Sequence, residues 1–180
     1  AHTLLKTGDF IECYFDPKID LNQTFEFEVL YETKQYGIYH KPVGALSEGT
    51  NHGDKTSLFR HVEKSKKYAY LVNRLDRETE GLVVVAYNSK AQNSLQQIWR
   101  TKVIKKYQAI VLGEMQENST GEFNYPLNDK FSLTKYKCIQ AFGDRSYLEI
   151  ELATERKHQA RIHLSKAGNP VMGDPIYGEH

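Results

Sequence analysis

Apolar and polar side chains alternate over several stretches of the chain, and this two-residue period is typical of β-strands with one buried face. In the first such stretch Phe25, Phe27 and Val29 alternate with Glu26 and Glu28, which predicts a strand with one wet face. Denser apolar runs predict further strands at residues 36–40, 68–72, 81–87, 104–112, 133–142 and 146–153. The last three runs are rich in β-branched and aromatic residues, as strands usually are.

Helical spacing of apolar positions predicts three helices, at residues 56–67, from Asn88 or Ser89 onward, and at residues 157–167. Asn88 or Ser89 can cap the second helix, because a short polar side chain accepts hydrogen bonds from the first turn. Gly168 is suited to end the third helix. The short link at residues 143–145 favours antiparallel pairing of its flanking strands. Strands outnumber helices, so the sequence predicts an α+β fold: a largely antiparallel mixed β-sheet flanked by a few helices.

A charged segment, Asn73 to Gly81, separates two of the predicted strands, and within it Arg74 and Arg77 flank Asp76. A loop between buried strands lies at the rim of a sheet, where rigid elements can hold a side chain toward a cleft. Nearby cations favour an ionised carboxylate, which suits a nucleophile or an electrostatic stabiliser. The same pattern also fits a surface loop with a structural ion pair, and spacing alone leaves both interpretations open.

The distribution of charge is more informative than its sum, since the 180 residues have a net charge of only +1. Residues 89–106 contain five basic residues and no acidic one. Residues 152–166 contain four basic residues, among them Arg156 and Arg161, against Glu155 alone. Segregated basic segments can form a phosphate-binding face on a neutral protein, although solvated helix faces have the same pattern.

Membrane-spanning, metal-binding and disulfide-rich proteins have sequence features that this chain lacks. No apolar run approaches the ~20 residues that a membrane span needs. Cys13 and Cys138 have a spacing that fits neither a zinc site nor a disulfide framework, so we expect a reduced, cytoplasmic protein. His158 and His163 are five residues apart, whereas a spacing of four places two ligands on one helix face, and we predict no metal site.

Five segments resemble, in order along the chain, motifs of the RluA-type pseudouridine synthases. Residues 39–45 resemble NKPxGL, residues 73–81 RLDRxTxG, residues 105–113 KxYxAxVxG, residues 154–164 TGRxHQIRxHL, and residues 168–178 GHPIxGDxxYG. Together they extend over about 140 residues, from Tyr39 to Gly178. One such motif is a weak signal, but five in the same order are a strong one.

The resemblance implies an enzyme, an RNA pseudouridine synthase that isomerises specific uridines in structured RNA (rRNA or tRNA) and needs no cofactor. It implies that Asp76 is the catalytic carboxylate, that Arg161 pairs with it, and that Tyr107 stacks on a flipped base. Arg74 is expected to fill the space that the base leaves. The other residues expected to bind the substrate are Arg77, Lys105, Lys106, Arg156, His158 and Gln159.

The resemblance also suggests how the chain is organised. Residues 24–180 are expected to form the catalytic domain with a C-terminal part missing, and residues 1–23 the end of an N-terminal RNA-binding domain or a linker strand. A monomer with RNA as its partner is expected. The chain departs from the family pattern at Asn73, where histidine is usual, and at Glu80 and Glu155, where small residues are usual.

Two other functions remain open from the residues themselves. A catalytically weak relative would bind RNA in the same cleft without turning it over. A hydrolase of the glycosidase type would use Asp76 with a second carboxylate, Glu78 or Glu80. Both glutamates are local loop residues amid basic segments, and nothing else in the sequence indicates a sugar site, so the pseudouridine synthase is the preferred hypothesis.

Overall fold

The computed structural model describes residues 24–49 and 56–178, so the segment predicted at residues 1–23 lies outside the described residues. The chain forms two compact units that divide between Gln97 and Ile98. Each unit has one four-stranded sheet, and every strand pairing among the described residues is antiparallel. The predicted α+β class with antiparallel pairing is therefore confirmed.

The sheet of the first unit contains β1 (Glu28–Glu32), β2 (Tyr36–Lys41), β3 (Tyr70–Leu71) and β4 (Gly81–Ala86), in the order β1-β2-β4-β3. Helix α1 (Leu58–Glu63) supplies Leu58 and Val62, both fully buried, to the core of this unit. Tyr39 of β2 and Val83 and Val85 of β4 belong to the same cluster. Val83 and Val85 are two residues apart, because successive side chains of a strand point to opposite faces.

The division between the two units falls within helix α2 (Ser89–Thr101). Its first turn is capped as the sequence predicts, because Asn88 Oδ1 accepts a hydrogen bond from Ala91 N–H at 2.8 Å. The second sheet contains β5 (Lys106–Leu112), β6 (Thr120–Phe123), β7 (Thr134–Phe142) and β8 (Arg145–Leu152), in the order β5-β8-β7-β6. Helix α3 (Gln159–Lys166) contributes Leu164 to a second core cluster with Val111 and Leu148.

Two predicted chain reversals in the second unit are confirmed. Strands β7 and β8 form a hairpin in which Phe142 pairs with Arg145, and Gly143 between them has a φ of 66°. A positive φ is what the tightest hairpin turns require. Helix α3 ends where Gly168 adopts a φ of 84° and donates its N–H to the carbonyl of Ser165 at 3.0 Å.

The bounds and exposure of other segments differ from the prediction. Helix α1 covers six residues of the predicted range 56–67. Val29, predicted to point inward, is 46% exposed, because it lies on β1, an edge strand whose residues are all exposed. Ile104 was expected in a strand with a buried face, but it is 71% exposed and precedes the start of β5.

Candidate active site

Asp76 lies in the loop that joins β3 to β4, between two strands as the sequence predicts. Because Leu71 pairs with Val85 across these antiparallel strands, the loop of residues 72–80 leaves and re-enters the sheet at the same end. Asp76 is half-buried there. A half-buried carboxylate on a loop held by two strands is well placed to meet a ligand with a defined orientation.

Asn73 anchors the first residues of this loop to β4. Its Oδ1 accepts a hydrogen bond from Val84 N–H at 2.8 Å, and its Nδ2 donates to the carbonyl of Leu82 at 3.0 Å. The carboxamide thus takes the place of a backbone peptide group in the ladder. Asparagine can make both contacts because its side chain carries an acceptor and a donor.

Lys41, at the end of β2, is completely buried beside the same loop. Its Nζ donates hydrogen bonds to the carbonyls of Ala45 at 2.7 Å, Pro42 at 3.0 Å and Arg77 at 3.4 Å. Burial lowers the pKa of Lys41 to about 8, against the opposing attraction of three carboxylates in the loop. At neutral pH the side chain therefore remains mostly an ammonium ion. Sequence reasoning did not single it out, although its in-phase spacing with Tyr39 predicts an inward side chain.

Arg74 and Arg77 have different surroundings although both flank Asp76. The Arg74 side chain is 70% exposed, and its Nη1 lies 3.0 Å from Glu48 Oε2. An exposed pair of this kind contributes little to stability and leaves the guanidinium accessible. Arg77 is half-buried, and its carbonyl accepts a hydrogen bond from Gly44 N–H at 2.8 Å. Substrate contacts of the two arginines stay predictions.

Arg161, in the second unit, forms a bidentate ion pair with Asp174. The Arg161 Nε and Nη2 atoms donate to the two carboxylate oxygens at 2.6 and 2.8 Å. These hydrogen bonds hold the pKa of Asp174 far below its usual range, and the backbone N–H groups of Ile176 and Tyr177 act in the same direction. Asp174 lies in the fifth motif, residues 168–178, and its sequence context alone indicates no role for it. The predicted ion pair between Arg161 and Asp76 stays a prediction.

Tyr177 brings His158 and Arg161 together. The Tyr177 hydroxyl lies 3.0 Å from His158 Nδ1, and the Arg161 guanidinium carbon lies 5.3 Å from the centre of its ring. His158 has a φ of 55°, which places it just before α3 rather than within it. The two side chains therefore share one aromatic neighbour.

Gln159 and His163 occupy the opposite, buried side of α3. Gln159 Nε2 donates to Thr134 Oγ1 and to a main-chain carbonyl, both at 3.0 Å, and Gln159 Oε1 accepts from Thr154 Oγ1 at 2.9 Å. His163 Nδ1 lies 2.9 Å from the same Thr134 hydroxyl, and burial lowers the pKa of His163. Gln159 is only 2% exposed, so these contacts give it a structural role, and we do not include it in the proposed substrate contacts.

The lysines predicted to bind phosphate differ in accessibility. The Lys105 side chain is 9% exposed, with its Nζ 3.4 Å from Glu155 Oε2. The Lys106 side chain is 53% exposed, and its hydrogen bond to Glu149 at 2.9 Å raises the pKa of Lys106. Arg156 is exposed and donates to two main-chain carbonyls at 3.0 and 3.1 Å. Of the two lysines, Lys106 is therefore the one that a phosphate could reach.

Tyr107 lies between these lysines and the second core. It is half-buried on β5, pairs in register with Ile150 of β8, and packs against the buried cluster that includes Val111 and Leu148. Its neighbours Lys106 and Gln108 point to the exposed face of the strand. The structure thus fixes the backbone that carries Tyr107, and its stacking on a base stays a prediction.

None of the helices within residues 24–49 and 56–178 is long and apolar enough to cross a membrane. No group of three His, Cys, Asp or Glu side chains in the same ranges could hold a metal ion.

Comparison with known families shows to which family the chain belongs. A family model described as RNA pseudouridylate synthase matches residues 35–166, a range that includes Asp76, Tyr107 and Arg161. The chain therefore belongs to the RNA pseudouridylate synthase family, and the family predicted from its five motifs is confirmed.

Individual relatives agree with this assignment. An uncharacterised RNA pseudouridine synthase of Mycoplasma genitalium is 33% identical in an alignment that covers 85% of this chain and 56% of the relative. Ribosomal large subunit pseudouridine synthase D of Buchnera aphidicola is 33% identical in an alignment that covers 95% of this chain and 61% of the relative. Ribosomal large subunit pseudouridine synthase C of Vibrio vulnificus is 31% identical in an alignment that covers 91% of this chain and 57% of the relative. The chain thus spans little more than half the length of these relatives.

Solved structures share the fold. Human RNA pseudouridylate synthase domain containing 1 superposes with a TM-score of 0.71 at 23% identity, over 86% of this chain and 70% of that chain. Human RNA pseudouridylate synthase domain containing 4 gives 0.69 at 24% identity, over 84% and 69%. At these identities the structural match supports the fold alone.

Proposed function

We propose that this chain isomerises uridines in RNA to pseudouridine, with Asp76 as the catalytic carboxylate. The observation that carries the proposal is the half-buried position of Asp76 on an anchored loop, within a segment that matches the family. Two relatives are named for the large ribosomal subunit. We therefore propose structured RNA, rRNA or tRNA, as the substrate. Action in the cytoplasm as a monomer is part of the same proposal.

The reaction gives a carboxylate near C1′ a defined task. The bond between N1 of uracil and C1′ of the ribose breaks, the base rotates, and a new bond joins C5 to C1′. C5 loses a proton and N1 gains one, so the rearrangement is redox-neutral. A carboxylate near C1′ can attack the sugar, stabilise the charge that develops there, or remove a neighbouring proton.

The base must leave the RNA stack before this chemistry, at a cost of a few kcal/mol. We propose that Tyr107 stacks on the flipped uracil and that the exposed Arg74 guanidinium fills the space left behind. A planar, charged group suits the second task because it stacks and donates hydrogen bonds together. We further propose that Arg161, whose plane is fixed by Asp174, pairs with Asp76. Arg77, Lys106, Arg156 and His158 are proposed to contact the RNA.

The Asp76→Asn variant tests the proposal. It keeps the shape of the side chain and removes its charge, so release of tritium from RNA labelled at C5 of uridine should fall to background. Asp144→Asn is a matched control, because Asp144 also lies between two strands but its side chain is 85% exposed in a hairpin turn. The control should keep full activity, and both variants should keep the wild-type melting temperature.

Two outcomes would contradict the proposal. Near-normal tritium release by Asp76→Asn would remove Asp76 from the chemistry. Binding of RNA by the wild-type chain with no release of tritium would favour a catalytically weak relative that binds without turnover.

A further inference from the structure

The Ser47 side chain makes an unusual pair of contacts with the residue before Asp76. Ser47 lies in the segment after β2 and is only 4% exposed. Its Oγ donates to the carbonyl of Leu75 at 2.8 Å and accepts from Leu75 N–H at 2.9 Å. One hydroxyl thus satisfies both backbone groups of a single loop residue.

These contacts bear directly on the orientation of Asp76. The Leu75 carbonyl belongs to the peptide group that joins Leu75 to Asp76, so holding it fixes the plane from which the Asp76 side chain departs. On the other side of Asp76, the carbonyl of Arg77 is held by Gly44 N–H at 2.8 Å and by Lys41 Nζ at 3.4 Å. The carboxylate therefore stands between two anchored neighbours, and all three anchors belong to residues 41–47.

We infer that Ser47 is a positioning residue for the Asp76 carboxylate. The inference rests on the proposed role of Asp76. The Ser47 hydroxyl does not reach the reacting atoms; it sets the direction of the side chain that does. Small errors in the placement of a catalytic group lower the rate of the chemical step far more than they weaken substrate binding. Loss of the hydroxyl should consequently appear in kcat rather than in KM.

The test compares two serine-to-alanine variants. Ser47→Ala removes both hydrogen bonds to Leu75. Ser132→Ala is the control, because Ser132 is also fully buried and its hydroxyl donates to the carbonyl of Lys130 at 2.9 Å, in the second unit. Ser47→Ala should lower kcat for tritium release by about tenfold or more, with KM changed by less than about twofold. The two alanine variants should lower the melting temperature by similar amounts. Ser132→Ala should leave kcat within about twofold of wild type.

A third variant separates a missing hydroxyl from a damaged fold. Ser47→Thr retains the hydroxyl, so it should recover most of the lost kcat. Equal kcat values for the two alanine variants would overturn the inference, and so would a threonine variant with a wild-type melting temperature that is as slow as Ser47→Ala. If Ser47→Ala does not fold, Ser47→Cys replaces it, and a kcat equal to wild type would then overturn the inference. An inactive wild-type chain would instead indicate failure of the proposed function.

Discussion

At the scale of single residues, the loop around Asp76 is held by polar side chains that replace ordinary backbone partners. The Asn73 carboxamide forms hydrogen bonds with the backbone of β4, and the Lys41 ammonium donates to three carbonyl oxygens. A buried ammonium is costly unless its donors are satisfied, and here each of the three contacts reaches a carbonyl oxygen. Lys41 is therefore a buried charge whose hydrogen bonds hold three carbonyl groups around the loop.

The depressed pKa of Lys41 predicts a rise in stability at alkaline pH. Unfolded Lys41 keeps its proton up to the ordinary pKa of 10.5, whereas the folded state releases it near 8. Between these values the unfolded state binds more protons, so the free energy of unfolding increases with pH. The difference in this free energy between wild type and Lys41→Met should grow in favour of wild type by about 3 kcal/mol across the window.

Urea unfolding of both proteins at several pH values from 7 to 11 measures this difference. The Lys41→Met variant serves as the reference for wild type, since every other titrating group is common to the two proteins. Parallel pH profiles for wild type and variant would show that the Lys41 pKa is not depressed in the folded state.

At the scale of elements, α3 makes different polar contacts on its different faces. Gln159 and His163 attach one face of the helix to Thr134 at the start of β7, and Arg161 on another face binds Asp174. The helix and its end at Gly168 could be predicted from spacing. The burial of Gln159 could not, because a glutamine whose amide is fully hydrogen-bonded in a core has the same sequence pattern as one on the surface.

The ion pair between Arg161 and Asp174 predicts a loss of stability in acid. The pKa of Asp174 is lowered from its ordinary 3.8, so its contribution is fully present above that value and is lost as pH falls below it. At pH 7, Asp174→Asn should lower the free energy of unfolding by roughly 3 kcal/mol, because it removes the charge of a carboxylate that binds a mostly buried guanidinium through two hydrogen bonds. The free energies of unfolding of the variant and of wild type should become more similar as the pH falls below 3.8.

Urea unfolding at pH 7 and at successively lower pH values measures the effect. Asp144→Asn provides the control, since its pair with Arg145 is exposed and 3.5 Å long, and should change stability by less than about 0.5 kcal/mol. If the free energies of unfolding of Asp174→Asn and wild type differ by the same amount at every pH, the ionised Asp174 carboxylate is not the source of that difference.

At the scale of the whole molecule, one lysine of the first basic segment, Lys105, is less available for RNA than the sequence suggests. Lys105 and Lys106 look equivalent in sequence. Lys106 begins β5 and Lys105 directly precedes it, and neighbouring positions of an extended chain point to opposite faces. Glu155, a departure from the family pattern, accepts from Trp99 Nε1 at 3.0 Å and pairs with Lys105. Sequence spacing cannot reveal this pair, because the two residues are 50 positions apart. The division into two units is equally hidden, since it falls inside one continuous helix.

The different exposure of the two lysines predicts different effects on RNA binding. Lys106→Gln should flatten the log–log dependence of the binding constant on salt by about 0.7 to 0.9, the value for one neutralised phosphate. Lys105→Gln should leave the slope unchanged, because its side chain is only 9% exposed. Titrations of a structured RNA between about 50 and 200 mM salt measure both slopes. Equal flattening by the two variants would contradict the assignment of phosphate contact to Lys106.

Mapping of pseudouridine in cellular RNA tests the central claim most directly. Total RNA would be compared by mass-resolved mapping among cells that lack the gene, cells complemented with the wild-type gene, and cells complemented with Asp76→Asn. We predict that at least one pseudouridine in rRNA or tRNA is lost without the gene, restored by wild type, and not restored by Asp76→Asn. Restoration of the same site by Asp76→Asn, or an unchanged set of pseudouridines in cells without the gene, would contradict the account.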